Sequence, residues 1–176
     1  YNALKVMVEL AEYQKDESKK EKYERMANKC KKSFREKFYN KSKKCLYDVL
    51  EDGKVRPNQL FALSLSYPVL DVNSKEAKEM IETVTKKLLN KYGLKTLAKG
   101  EENYIDIYEG NSFKRDFSYH QGITWTWLLG LYYNCLKRFA TESRTGKKKY
   151  NEQLEEFIQS VTETFSKEIN EIGCIG

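Results

Sequence analysis

The chain's one histidine, His120, falls in the run KRDFSYHQGITWTWLLG (Lys114 to Gly130), beside Arg115, Asp116, Tyr119 and Gln121 and just ahead of both tryptophans, Trp125 and Trp127. A cation, a carboxylate, an amide and aromatic planes in one stretch suit a saccharide, whose C–H faces stack on rings while its hydroxyls require donors and acceptors. The plainer reading is a helix amino terminus, with Asp116 or Ser118 accepting backbone N–H bonds and the tryptophans serving only as core. A second cluster, Arg56, Pro57, Asn58 and Gln59, also opens a helix after a loop. Its Arg and Asn could hold ligand hydroxyls or satisfy only the helix start. A lone histidine at a helix start more often bonds structurally than acts as a base. No G-x-S-x-G nucleophile motif accompanies it. Gly93, Gly100 and Gly110 are too dispersed for a phosphate-binding loop or a dinucleotide fingerprint, so nucleotide chemistry is disfavoured and no cofactor is called for.

Helices must position these clusters. Asn2 to Gln14 has Leu4, Met7, Leu10 and Ala11 at helical spacing. It starts without a capping residue, the pattern expected of a chain that enters mid-domain. Ser18 with Glu21 reads as a capping box for a second helix that turns Tyr23, Met26, Cys30, Phe34 and Phe38 inward. CLYDVLED (Cys45 to Asp52), followed by Gly53, reads as a short extended or hairpin excursion near 45–55. Pro57 opens a short third helix that must stop before Pro68. Asn73 with Glu76 caps a fourth, running to about Asn90. From Lys91 to Phe117 the helical period vanishes over a stretch too long for an idle connection. Gln121 to Ala140 reads as a buried helix, apolar nearly all round. After a polar, disorder-prone Thr141 to Lys149, a last helix aligns Leu154, Phe157, Ile158, Val161, Phe165 and Ile169, and the chain ends on Gly173, Cys174, Ile175 and Gly176. About six helices in consecutive pairs make an all-α fold, and long loops alternating with short ones are what a helical toroid needs.

Composition bounds the function classes. The 176 residues suffice for one domain or part of one. No apolar run approaches the roughly 20 residues of a membrane span, and no basic-then-apolar leader opens the chain. The net charge of +6 raises a nucleic-acid partner, but the lysines alternate with glutamates, as in Glu17 to Glu24 and Lys75 to Lys87, which marks solvated helix faces. Cys30, Cys45, Cys135 and Cys174 form no C-x-x-C pair and have no nearby histidine, so no metal site is expected. Cys30 and Cys135 fall on apolar stripes as buried thiols would, which fits a reducing cytoplasm.

Three ordered segments carry a resemblance. RPNQLFALSL (Arg56 to Leu65), KKLLNKYGLKTLA (Lys86 to Ala98) and RDFSYHQGITWTWLLG (Arg115 to Gly130), with YNAL opening and GCIG closing the chain, resemble the amylo-alpha-1,6-glucosidase domain of glycogen debranching enzymes. The stretches from Asp16 to Tyr47 and from Ala140 to Ile169 match in helical pattern only. The resemblance implies an (α/α)6 toroid of antiparallel helix pairs, of which residues 1–176 would be a carboxy-terminal portion, about half, incomplete at both ends. It implies hydrolysis of the alpha-1,6-linked glucose stub of glycogen or another branched alpha-glucan, with inversion. Inversion needs a general acid and a general base roughly 6.5–9.5 Å apart. The resemblance puts both outside this chain, so no residue here is expected to be catalytic. What it assigns here is substrate binding or orientation by Arg56, Asn58 and Gln59 at one helix start and by Arg115, Asp116, Tyr119, His120, Gln121, Trp125 and Trp127 at the other. Where the family has W-P-W, this chain has Trp125, Thr126 and Trp127.

The competing readings are a non-catalytic helical module that binds carbohydrate or protein, and a basic nucleic-acid binder whose association would fall steeply with salt. A half-toroid also leaves the apolar flanks of its end helices uncovered, so the expected partners include the rest of a parent polypeptide and, for the chain alone, a second copy.

Overall fold

The computed structural model describes residues 1–173. In order come α1 (Asn2–Tyr13), α2 (Glu17–Lys37), β1 (Tyr39–Asn40), β2 (Cys45–Leu46), a 3-10 turn (Pro57–Leu60) running into α3 (Phe61–Ser64), and α4 (Lys75–Lys87). Then follow β3 (Leu89–Asn90), β4 (Gly93–Lys95), α5 (Ser112–Ser118), β5 (Thr124–Trp125), α6 (Leu128–Glu142) and α7 (Lys147–Ile172). The described residues thus form seven helices, one more than expected, and two small antiparallel sheets, β1-β2 and β3-β4-β5. None of these helices is long and apolar enough to cross a membrane.

The helical pairing is visible at both ends of the chain, where α1 packs on α2 and α6 packs on α7. Between them lies the core, in which Leu60, Leu63, Met80, Val84, Leu128, Leu136 and Phe139 are fully buried. Helix α6 supplies much of it through Leu128, Tyr132, Cys135, Leu136 and Phe139, but it is not apolar all round as expected, since Gly130, Asn134 and Lys137 form an exposed face. On α2, Phe34 packs against the core while Met26, expected inward, is 46% exposed. On α1, Val8 and Ala11 are buried, but Met7 and Leu10 lie open because α2 covers the neighbouring face. Cys135 is buried as expected, whereas Cys30 is only half-buried. Cys174 lies outside the described residues, as do the last three residues of the GCIG match.

Several boundaries move, each for a local reason. Asp16, not Ser18, caps α2, its carboxylate accepting from the Lys19 amide at 3.0 Å. Ser74, not Asn73, caps α4 by accepting from Ala77 N at 3.2 Å. The Asn73 side chain instead accepts from Arg144 N at 2.7 Å, and Ser143 Oγ donates to Thr145 O at 2.7 Å. These bonds order the α6–α7 connection that reads as disorder-prone in sequence, and α7 already begins at Lys147. The Pro57 segment is a 3-10 turn before a single α turn. The excursion near 45–55 is the second limb of a hairpin that starts at Tyr39, with Asn40 paired to Cys45.

The stretch from Lys91 to Phe117 is not wholly irregular, since it holds β4 and α5. Helix α4 gives way at Leu88 to a hairpin in which the Asn90 side chain accepts from Tyr92 N and Gly93 N. Residues 121–127 are not helical. Thr124 and Trp125 pair with Lys95 and Leu94 as the third strand of that sheet, and the helix waits until Leu128.

Candidate functional site

The Arg56 cluster is set by the end of the β1-β2 excursion. Gln59 is buried, accepting from Leu46 N at 3.1 Å through Oε1 and donating to Arg56 O at 2.7 Å through Nε2. It therefore fixes the backbone that presents Arg56, and it lines a small hollow beside Phe34 and Phe38. The Arg56 guanidinium reaches across the chain: Nη1 donates to Thr96 O at 3.1 Å and to His120 O at 2.6 Å, and Nη2 donates to Gln121 Oε1 at 3.0 Å. Its Nε faces the Asp48 carboxylate at 3.9 Å, and Asn58 Nδ2 donates to the same carboxylate at 2.8 Å.

The His120 segment is held from the other side as well. Gly122 N donates to Thr96 Oγ1 at 2.9 Å, and Ile105 N donates to Gln121 O at 2.6 Å. Gly122 has φ +143°, and a Cβ there would stand 2.5 Å from Ile105 O, so only glycine permits this approach. Further along, Trp125 Nε1 donates to Tyr119 O at 3.2 Å, so the indole N–H is engaged within the protein. The His120 ring lies nearly parallel to that indole, with centroids 6.1 Å apart and planes at 15°. Thr126, where the family pattern has proline, donates its hydroxyl to Tyr92 O at 3.0 Å and so ties the segment to the β3-β4 turn.

These supports bring the two clusters to one hollow of about 420 Å³. Arg56, Pro57 and Asn58 line it from the start of the 3-10 turn, and His120, Trp125 and Trp127 from the connection between α5 and α6, with Thr96 and Leu128 between. That volume lies within the ≈300–1,000 Å³ of small-molecule sites. Asp48 and Asp52 also line it, and neither stands out in the sequence. Asp48 stands two residues after the buried Cys45–Leu46 strand and Asp52 six after it, in a turn segment whose spacing alone does not mark either. Asp48 and Asn58 also border a smaller apolar hollow of about 260 Å³, on the side of Phe34, Phe38 and Tyr67.

The remaining sequence candidates sit elsewhere. Gln121 meets Arg56. Arg115 donates to Gly110 O, and Asp116 is exposed on α5. Neither Asp116 nor Ser118 caps a helix; the cap of α5 is Asn111, which accepts from Lys114 N at 3.0 Å. Tyr119 packs edge-on against Trp125 at 4.6 Å and lines a neighbouring hollow. Among the described residues no group of three or more His, Cys, Asp or Glu gathers as a metal would require.

Chemically, the hollow offers carboxylate acceptors, amide and imidazole groups and aromatic rings, with its one guanidinium already engaged by protein atoms. That set suits a neutral polyhydroxylated ring better than an anion. A family model described as amylo-alpha-1,6-glucosidase matches residues 1–173 of the chain.

Proposed function

The chain belongs to the amylo-alpha-1,6-glucosidase family, and on that premise we propose that it forms the glucose-holding wall of a glycogen-debranching glucosidase. The carrying observation is the single hollow shared by Asn58, His120, Trp125 and Trp127. In this reading one pyranose of an alpha-1,6 branch stub enters it. The ring stacks on indole, and its hydroxyls donate to Asp48 and accept from Asn58 or His120. Arg56, Gln59 and Gln121 are positioning residues, acting through the backbone and through each other.

The reaction is hydrolysis with inversion. A general acid protonates the glycosidic oxygen while a carboxylate base takes a proton from water. The water oxygen then bonds to the anomeric carbon from the face opposite the departing chain. Both proton-transferring carboxylates are assigned to parts of the domain on either side of residues 1–176, which would be about half of an (α/α)6 toroid. The residues described here hold and orient the sugar. The paired helices α1-α2 and α6-α7 support that architecture.

The test is glucose release from limit dextrin by the intact polypeptide. His120→Ala and Trp125→Ala are each expected to lower kcat/KM at least about tenfold, the equivalent of one good contact. Unchanged release with both variants would overturn the assignment.

A further inference from the structure

A second hollow of about 410 Å³ adjoins the first across Trp125 and Trp127, which line both. Tyr108, Tyr119, Ile123, Thr124 and Thr126 complete it, and none of its lining side chains is charged. We infer that this aromatic shelf holds the alpha-glucan chain that bears the branch, an inference that rests on the function proposed above. A branch stub is one ring joined to a longer chain, so a ring seated in the first hollow obliges the chain to leave over its rim. On the tryptophan side that rim leads directly onto the shelf.

Its chemistry fits such an occupant. Trp127 is 58% exposed and Tyr108 51%, surface that water covers poorly and the C–H faces of pyranose rings cover well. The rings are mutually inclined, Tyr108 to Tyr119 by 54° at 5.9 Å and Tyr119 to Trp125 by 80° at 4.6 Å. A curved polymer therefore meets faces in more than one direction. Thr124 Oγ1 accepts from Asn90 Nδ2 at 2.7 Å, which leaves its own O–H to donate to a glucan oxygen. The absence of charge on the lining disfavours nucleic acid or an acidic peptide.

The experiment compares two substrates of the intact polypeptide: branched limit dextrin, and alpha-D-glucosyl fluoride, whose single ring reaches only the first hollow. Tyr108→Ala is expected to raise the KM for dextrin relative to that for the fluoride by roughly 5- to 10-fold, and Tyr108→Phe to restore it. A dextrin-to-fluoride ratio equal to wild type overturns the shelf while leaving the glucosidase reading intact. Equal losses on both substrates with a lowered Tm would mean that another part of the polypeptide covers Tyr108, and would also overturn it. A wild-type protein that cleaves neither substrate removes the underlying reading and the shelf with it.

Discussion

Arg56 shows what one side chain does between distant segments. Its guanidinium joins Thr96, His120 and Gln121 while facing Asp48, and a lysine has one ammonium where arginine has a planar fork. Arg56→Lys is therefore expected to destabilise the fold by roughly 1–3 kcal/mol and to loosen the His120 segment. Urea denaturation, together with the His120 ring NMR signals, checks this; an unchanged midpoint and unshifted signals would refute it. The residue types of the Arg56 and His120 clusters could be read from the chain itself, but the bond between them spans sixty-four positions and has no local periodicity. The same reasoning explains Asp48, whose importance comes from Asn58 and Arg56 rather than from its neighbours. Cys135 is a residue-scale case that was legible. Burial pushes its thiol up to about 12, so it stays protonated across the neutral range, and its Sγ–H donates to Leu60 O at 3.5 Å. Iodoacetamide at pH 8 is expected to leave Cys135 unmodified in the folded protein and to label it only after denaturation, as mass spectrometry would show.

At the scale of elements, the short β3-β4-β5 sheet decides where Trp125 stands. Gly93 makes this possible, since a Cβ there would lie 2.4 Å from Trp125 O, a backbone atom that cannot swing aside. Gly93→Ala should force the strands apart at a cost of about 1–3 kcal/mol, with the Trp125 ring displaced from His120. Thermal melting and near-ultraviolet circular dichroism would register both changes, and a variant with native values of each would refute the claim. This sheet was hidden because Gln121 to Ala140 is rich in apolar residues, so the strong helical signal of Leu128 onward spreads back over its approach. The alternation of Ile123, Trp125 and Trp127 with Thr124 and Thr126 carries a period of two and many β-formers, which is the strand signature. Helix α2 and the start of α4 were legible to within a residue or two, because amphipathic spacing and a polar cap announce them locally, whereas α4 stops at Lys87, three residues short of the expected Asn90, where the β3-β4 hairpin begins.

For the molecule as a whole, paired helices follow from composition and short connections, whereas the proposed closure into a ring would depend on the apolar surfaces of its first and last helices. Val6, Met7 and Leu10 lie open on α1, and Ile158 and Ile169 lie open on α7. Such stripes suit coverage by neighbouring helices, so the isolated 176-residue chain is expected to self-associate at micromolar concentration. Sedimentation equilibrium should show a shift to monomer in a Val6→Lys, Leu10→Glu double variant that keeps its helical content. A wild-type chain monomeric at all concentrations would contradict this.

The placement of the two indoles has a practical consequence. They are the chain's only tryptophans, and both stand on the ridge between the two hollows. Excitation near 295 nm therefore makes this chain's emission a label-free gauge of that ridge alone, so a titration curve would report occupancy on either side without background from the rest of its fold.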